Sequence, residues 1–404
     1  MKRRFAGPTL AIACLLQACD GESPARDGAA DRAGADSADT RDGTLPGSDA
    51  ADAPSGPQDV KPDGAPVDAP DAPALGPSRQ LDVLFVIDNS SSMREEQMAL
   101  RLGFPAFIEA LKAAPGGLPD LRIGIINTNF GAGQTTPSPE CVPLGDRGRL
   151  QVKAGCGLDP ATAHFLAVDG QGNSNFVGQL QTVFSCLADL GTSGCGYEHQ
   201  LQALRAAVAN PPVNVENRGF LRQDARFGIV ILSDEDDCSG EPDAEFYRDL
   251  IPGQAGSYRC ALLGHVCGGQ AVPAMAGFQW PLADCSPHVR LTSERTTRLI
   301  NVREFVDFVM ALKTGRPDNV FVSLIVGWNE SPGAQYQVVN RTSPIGGSEL
   351  DLGPACSSPA SGVASPAIRL RAFARAFPNN TIHNICAGDL TPAMREIGQK
   401  MAGM

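Results

Sequence analysis

The chain has 404 residues, 42% of them hydrophobic, with 45 acidic and 33 basic side chains and a formal net charge of −12. That length accommodates a large buried core. The acidic balance argues against nucleic acid as a partner, because phosphate contacts need a basic surface.

Lys2, Arg3 and Arg4 open the chain and precede a short apolar stretch from Phe5 to Ala18. It is too short to span a bilayer as a mature helix. It ends in Leu16-Gln17-Ala18-Cys19, which resembles a bacterial lipobox. The resemblance implies a lipoprotein signal peptide over residues 1–18, cleavage before Cys19 and lipidation of that thiol. The alternative is an ordinary secretory signal in which Cys19 is incidental. Either way the chain is exported. The lipobox places it in a bacterial cell envelope, bound to a membrane by a lipid anchor, with the outer membrane or cell surface favoured over the inner membrane.

Residues 19–78 form the next segment. From residue 20 onward it carries 13 acidic against four basic side chains, and it lacks any aromatic residue, Ile or Met. Such a composition buries too little apolar surface to offset the entropy of ordering. The expectation is a disordered acidic tether of Asp, Ala, Pro and Gly. As a flexible coil it reaches about 45 Å on average.

From residue 79 the composition changes, and one domain is expected over 79–404. Continuous apolar runs occur at 83–87, 121–126, 227–232 and 320–326, and a weaker one at 381–385. Runs of this length suit strands buried on both faces, as in a parallel sheet. Helical periodicity lies between them: Leu100, Phe104, Phe107, Ile108 and Leu111 share one face, as do Phe305, Phe308, Val309 and Leu312, and Met394, Ile397 and Met401. Residues 176–190 and 198–208 are further helix candidates. Pro105 inside the first pattern is expected to kink that helix or delay its start. The alternation predicts an α/β fold with an open, mostly parallel sheet and helices on both faces.

Three segments, 128–175, 239–298 and 328–365, break the alternation. They are rich in Gly, Pro and Cys, and loops this long are usually functional or covalently stapled. Apart from Cys14 and Cys19 there are ten cysteines: Cys141, Cys156, Cys186, Cys195, Cys238, Cys260, Cys267, Cys285, Cys356 and Cys386. An even number in an exported chain reads as up to five disulfides. No CxxC pair occurs, which weakens a zinc or redox reading. Connectivity does not follow from sequence. Nearness suggests Cys141–Cys156, Cys186–Cys195 and Cys356–Cys386, with the other four pairing among themselves.

The first apolar run, VLFVI, stops at Asp88-Asn89-Ser90-Ser91-Ser92. In an open α/β sheet ligands bind beyond the carboxyl ends of the strands, and Asp88 follows its strand at that end. An alternating Asp, Ser, Ser can turn three oxygens toward one point. Oxygen-only donors select a hard cation: Mg²⁺, or Mn²⁺ or Ca²⁺. The strand FGIVIL ends in Ser233-Asp234, at the same edge, and Gly191-Thr192 precedes a helix between the two.

The D-x-S-x-S loop, the Gly-Thr loop and the strand ending in Ser-Asp, in that order, resemble a von Willebrand factor type A (vWA) domain with its metal-ion-dependent adhesion site (MIDAS). The resemblance covers most of residues 80–402 and implies a three-layer Rossmann-like fold. Carried over by position, the metal ligands are Asp88, Ser90, Ser92, Thr192 and Asp234. The family usually has Thr-Asp-Gly where this chain has Ser233-Asp234-Glu235. Ser193 is an alternative to Thr192. Asp236 and Asp237 would serve as further support or a second metal site, or else form a solvated acidic turn. The cysteine-rich decoration resembles vWA domains on bacterial surface lipoproteins.

Two carboxylates and three neutral hydroxyls supply five oxygens and no more negative charge than a divalent cation balances, which leaves one of six positions free. A carboxylate from a protein ligand would fill it. The implied function is cation-dependent adhesion without turnover. A structural envelope lipoprotein, making its contacts through the disulfide-rich loops without metal, is the alternative. A metallohydrolase built on Asp88 and Asp234 is a third reading, but nothing marks a general base. The five histidines are scattered, and HExxH, GxSxG and P-loop patterns are absent. Glu198 and His199, adjacent on a predicted helix, read as polar surface residues. Trp280 and Trp328 read as loop or core packing.

Overall fold

A computed structural model describes residues 79–404 apart from 133–140, 142–144, 243, 245–246, 248–252, 314–315 and 344–345. The expected signal peptide, Cys19 and the acidic tether lie outside the described residues. In chain order the first half contains β1 (Gln80–Ile87), α1 (Arg94–Ala113), β2 (Asp120–Asn127), β3 (Leu166–Val168), α2 (Leu180–Leu187), α3 (Gln200–Ala207) and β4 (Arg226–Ser233). Then come α4 (Gly256–Gly264), β5 (His265–Cys267), β6 (Gln270–Ala271), β7 (Gln279–Pro281), β8 (Cys285–Pro287), α5 (Val302–Leu312) and β9 (Val320–Val326). The chain ends with β10 (Gln335–Thr342), β11 (Ser348–Leu352), β12 (Cys356–Ser358), β13 (Gly362–Ala364), α6 (Ile368–Arg375), β14 (Asn379–Asn384) and α7 (Thr391–Ala402).

Six strands form the main sheet in the order β14-β9-β4-β1-β2-β3. All pairings in it are parallel except β2 with β3. The five apolar runs of the sequence are its five parallel strands. From β1 the chain steps to β2 on one side and later returns to β4 on the other. The order therefore reverses between β1 and β4, the position where open α/β sheets place their ligands.

Alternation along β1 builds two cores. Val83, Phe85 and Ile87 face Leu100, Phe104 and Phe107 of α1, Phe184 of α2 and Met394 and Ile397 of α7. Leu84 and Val86 point the other way, among Leu201 and Leu204 of α3, Phe305 and Val309 of α5, and Leu370 and Phe373 of α6. Helices thus cover both faces. The Phe85 ring lies 4.9 Å from Phe184 and 6.1 Å from Phe104. Burying one such side chain contributes about 1.5–3 kcal/mol. Helices α1 and α7 pack almost backbone to backbone: a Cβ on Gly398 would lie 2.6 Å from the Phe107 carbonyl oxygen. Helix α1 starts at Arg94 and runs through Pro105. The proline does not set its start, because the apolar stripe packed on β1 holds the helix on both sides of it.

The cysteine-rich segments are less irregular than their composition suggests. Residues 239–298 and 328–365 supply α4, two three-stranded sheets (β11-β10-β7 and β6-β5-β8) and the β12-β13 pair. Tyr258, Trp328, Tyr336 and the Cys267 and Cys285 side chains form a core of their own there. Trp328 is buried under the Arg371 guanidinium, 3.9 Å from its ring centroid.

Five disulfides form: Cys141–Cys195, Cys156–Cys186, Cys238–Cys260, Cys267–Cys285 and Cys356–Cys386. The pairing of Cys356 with Cys386 agrees with sequence nearness. Cys141–Cys156 and Cys186–Cys195 do not form. Cys156 packs in the core beside α2, which carries Cys186, while Cys141 lies with Cys195, Tyr197 and Cys238 in a separate cluster. Five bridges fit a protein that folds in an oxidising compartment. Among the described residues no helix is long and apolar enough to cross a membrane.

Candidate functional site

The carboxyl ends of β1 and β4 lie side by side, with the Asp88 amide donating to the Leu232 carbonyl at 2.9 Å. Asp88 and Asp234 are therefore brought together, as the sequence predicts. Asp88 is fully buried and Asp234 is 4% exposed. The Asp88 Oδ1 accepts from the Ser90 amide at 2.8 Å, and its Oδ2 accepts from the Ser233 hydroxyl at 2.6 Å. The hydroxyls of Ser90 and Ser92 lie 3.2 Å apart. Ser90 is buried and Ser92 exposed, so the donor set runs from carboxylates at the base to a hydroxyl at the rim.

Gln97 on the first turn of α1 joins this loop to the one carrying Thr192. Its Nε2 donates to the Asp88 carbonyl and to the Gly191 carbonyl, both at 2.9 Å, and its Oε1 accepts from the Leu190 amide at 3.1 Å. The Gly194 amide donates to the Asn89 carbonyl at 2.8 Å. Only glycine fits there, since a Cβ would sit 2.4 Å from the Asn89 Oδ1. Thr192 and Ser193 are thus held against the Asp88 loop. Thr192 is part-exposed and Ser193 exposed.

The electrostatics are one-sided. Burial pushes the carboxyls of Asp88, Glu198, Asp234 and Glu235 above the usual carboxylate range; for the last three, proximity to Asp88 adds to the effect. Glu96 on α1 is raised to about 7 by burial, with the Glu95 and Asp88 charges adding to it. Buried acceptors are also left without donors: Asp234 Oδ1, Glu198 Oε1, Glu96 Oε2, Asn89 Oδ1 and Gln200 Oε1. Unpaired buried oxygens are costly unless something positive satisfies them. Among the described residues, no three His, Cys, Asp or Glu side chains converge as a ready-made metal cage. The donors gathered here are a mixture of carboxylate, hydroxyl and amide oxygens, the kind that suits a hard divalent cation.

Glu198 and His199 are not surface residues. Each is 1% exposed. The Cys238 amide donates to the Glu198 carbonyl at 2.7 Å and the His199 amide to the Thr128 carbonyl at 3.1 Å, which ties the segment to the chain just after β2 and to the loop after β4. Their side chains part company: Glu198 accepts from the Thr128 hydroxyl, while His199 Nδ1 lies 3.2 Å from Gln202 Oε1. They do not form an acid–base pair.

Asp236 and Asp237 do not form a solvated turn, being 8% and 0% exposed. Asp236 caps α6, accepting from the amides of Arg369 and Leu370 at 2.7 and 3.0 Å, and lies 2.7 Å from His265 Nε2. Asp237 accepts from the Leu201 amide at 3.0 Å, at the start of α3, and ion-pairs with the fully buried Arg369 at 2.9 Å. Their oxygens are committed to helix starts, to the His265 ring and to the Arg369 guanidinium, which argues against a second metal site.

Sequence reasoning missed Glu96, Gln97, Glu198 and Gln200. Glu96 and Gln97 carried a signal, because they fall on the apolar stripe that continues through Leu100 and Phe104. Glu198 and Gln200 carried none that separates them from an ordinary helix start.

No family model matches the chain, and no curated protein matches it. Among solved structures it is similar to the pilus adhesin SpaC from Lactobacillus rhamnosus GG in its open conformation, at 13% identity and a TM-score of 0.27. That match covers 62% of this chain and 24% of the adhesin. Similarity at this level carries no argument about function.

Proposed function

We propose that this chain is an envelope-anchored domain of the vWA type that binds a protein partner through a divalent cation, without catalysis. The observation that carries the reading is the placement of Asp88 and Asp234. They lie buried at the carboxyl ends of adjacent parallel strands where the sheet order reverses, and Asp234 Oδ1 has no donor. The residues that would hold the cation, Mg²⁺ or else Mn²⁺ or Ca²⁺, are Asp88, Ser90, Ser92 and Asp234, with Thr192 as the expected fifth. When bound, the cation offers an electropositive position to one oxygen of the partner. Ser233 and the Ser90 amide hold the Asp88 carboxylate in place. Gln97 fixes the two loops relative to each other. The exposed Ser92 and the part-exposed Thr192 mark the side from which a partner approaches.

The test is thermal unfolding of the exported, oxidised chain in Mg²⁺, Mn²⁺, Ca²⁺ or EDTA, beside Asp88→Ala and Ser90→Ala. A ligand that binds only the folded state stabilises it by about 2.7 kcal/mol at one hundred times its dissociation constant. A rise in melting temperature in the wild type, absent from both variants, is the expected result. No response to millimolar levels of any of the three cations overturns the reading. If partner capture then persists in EDTA and is lost only when the 239–298 or 328–365 segment is deleted, the structural lipoprotein reading replaces it.

A further inference from the structure

The cysteine-rich lobe built on residues 239–298 and 328–365 reaches the end of β4 through the His265 side chain. His265 opens β5 and is 2% exposed. Its Nε2 lies 2.7 Å from Oδ2 of Asp236, two residues beyond Asp234. Its Nδ1 lies 3.0 Å from the hydroxyl of Tyr336 in β10, a fully buried side chain. The same Asp236 Oδ2 accepts from the Arg369 amide at 2.7 Å. A carboxylate that accepts at this oxygen leaves the imidazole proton on Nε2, so Nδ1 accepts from Tyr336. Burial raises the Tyr336 phenol well above its ordinary value, with the Asp236 charge adding to it, so it keeps the proton it donates. One tautomer thus satisfies the whole relay from Tyr336 through His265 to Asp236.

The segment from Asp234 to Asp236 is held at each residue. The Asp234 carbonyl accepts from the Ser365 amide at 2.8 Å, and the Glu235 carbonyl from the Ser233 hydroxyl at 2.9 Å. Asp236 accepts from the amides that start α6. His265 adds the tie to the lobe, and its own backbone has little room to shift. Gly264 ahead of it packs so closely that a Cβ there would lie 2.5 Å from Leu299 and 3.0 Å from the Arg369 stem. We propose that His265 is a positioning residue for the cation site: through Asp236 it fixes the segment that presents Asp234, and it joins the cysteine-rich lobe to that site as one unit. The inference rests on the cation reading above and deepens it. Groups that orient a ligand without touching the ion contribute about tenfold to a hundredfold in metal affinity. Such coupling is reciprocal, so the bound cation stabilises the lobe by as much as the lobe favours the cation.

The test is calorimetric titration of Mg²⁺, Mn²⁺ and Ca²⁺ into the exported, oxidised chain stripped with EDTA, comparing wild type with His265→Leu, His265→Gln and Tyr336→Phe. Leucine fills the space of the ring without a donor, whereas the glutamine amide nitrogen takes the place of Nε2. The expected result is a loss of about tenfold in His265→Leu, recovery of most of that affinity in His265→Gln, and a smaller loss in Tyr336→Phe. Wild-type affinity in a folded His265→Leu protein overturns the proposal, and so does a glutamine variant as weak as the leucine one. Either result leaves the cation reading standing. A residue that only stabilises the lobe would lower the cation-free melting temperature with affinity unchanged. Absence of binding in the wild type overturns the cation reading itself, which keeps the two failures distinct. If His265→Leu does not fold, Tyr336→Phe decides, and full wild-type affinity in that variant overturns the proposal.

Discussion

Ser233 donates its hydroxyl proton to Asp88 Oδ2 at 2.6 Å, across the point where the sheet order reverses. The last residue of β4 thereby orients the first residue beyond β1. Gln200 Nε2 donates to the same hydroxyl at 2.8 Å, which leaves its proton free for the carboxylate. Ser233→Ala is expected to lower stability by about 1–3 kcal/mol, because a buried carboxylate oxygen loses its donor. Urea unfolding of the cation-free chain measures it. Cation affinity is expected to fall in the same variant.

The raised carboxyl of Glu96 makes stability pH-dependent in a stated direction. Its value goes from 4.5 in the unfolded chain to about 7 in the fold. The folded state therefore holds the proton more tightly. The stability from this group is fully present below pH 4.5 and is lost as pH rises through about 7. His199 acts in the opposite sense: burial lowers it from 6.5 to about 4, so its contribution is present above pH 6.5 and lost as pH falls through about 4. The two overlap, and Glu96→Gln separates them. Relative to wild type this variant is expected to gain on the order of 2 kcal/mol between low pH and neutrality and then level off. Chemical unfolding across that range in EDTA tests it. A flat difference shows that Glu96 is not held protonated in the fold.

Asp237 and Arg369 form a fully buried ion pair, with both side chains at 0% exposure. Removing one partner strands the other charge, which costs about 3–5 kcal/mol. Asp237→Ala is expected to show that loss in its urea midpoint and to keep the melting shift produced by the cation. Loss of that shift in a folded Asp237→Ala protein would make Asp237 a ligand after all.

The Cys141–Cys195 bridge spans 54 residues, the longest of the five separations, and ends one residue after Gly194. It ties the loop that packs on Asn89 to the far side of residues 142–194. Chain-entropy arguments give about 4 kcal/mol for a loop of that length. Non-reducing peptide mapping is expected to pair Cys141 with Cys195 and Cys156 with Cys186. Replacing both Cys141 and Cys195 by Ser is expected to lower stability and weaken the cation response, while the Cys267–Cys285 pair should affect stability alone. Recovery of a Cys141–Cys156 peptide overturns the assignment.

Much of the frame was legible in the order of residues. Five apolar runs announced five buried parallel strands, because a strand covered on both faces has no reason to alternate. The runs ending in Asp88 and Asp234 placed both carboxylates at one sheet edge, since parallel strands share a direction. The helical stripes of α1, α5 and α7 were equally plain. What the sequence left open was whatever depends on distance between remote segments. Disulfide partners followed spatial clusters and not separation along the chain. Asp236 and Asp237 read either as further metal support or a second metal site, or as a solvated acidic turn, yet the backbone turns them inward to start α6 and α3, and Asp237 meets Arg369. Glu198 looked like a surface residue ahead of a helix. It is buried because contacts with residues 128, 129 and 238 tie it to the segments that follow β2 and β4. Local composition reports whether a segment is apolar or polar. Which polar groups meet in the dry interior is decided only when the sheet order brings their strand ends together.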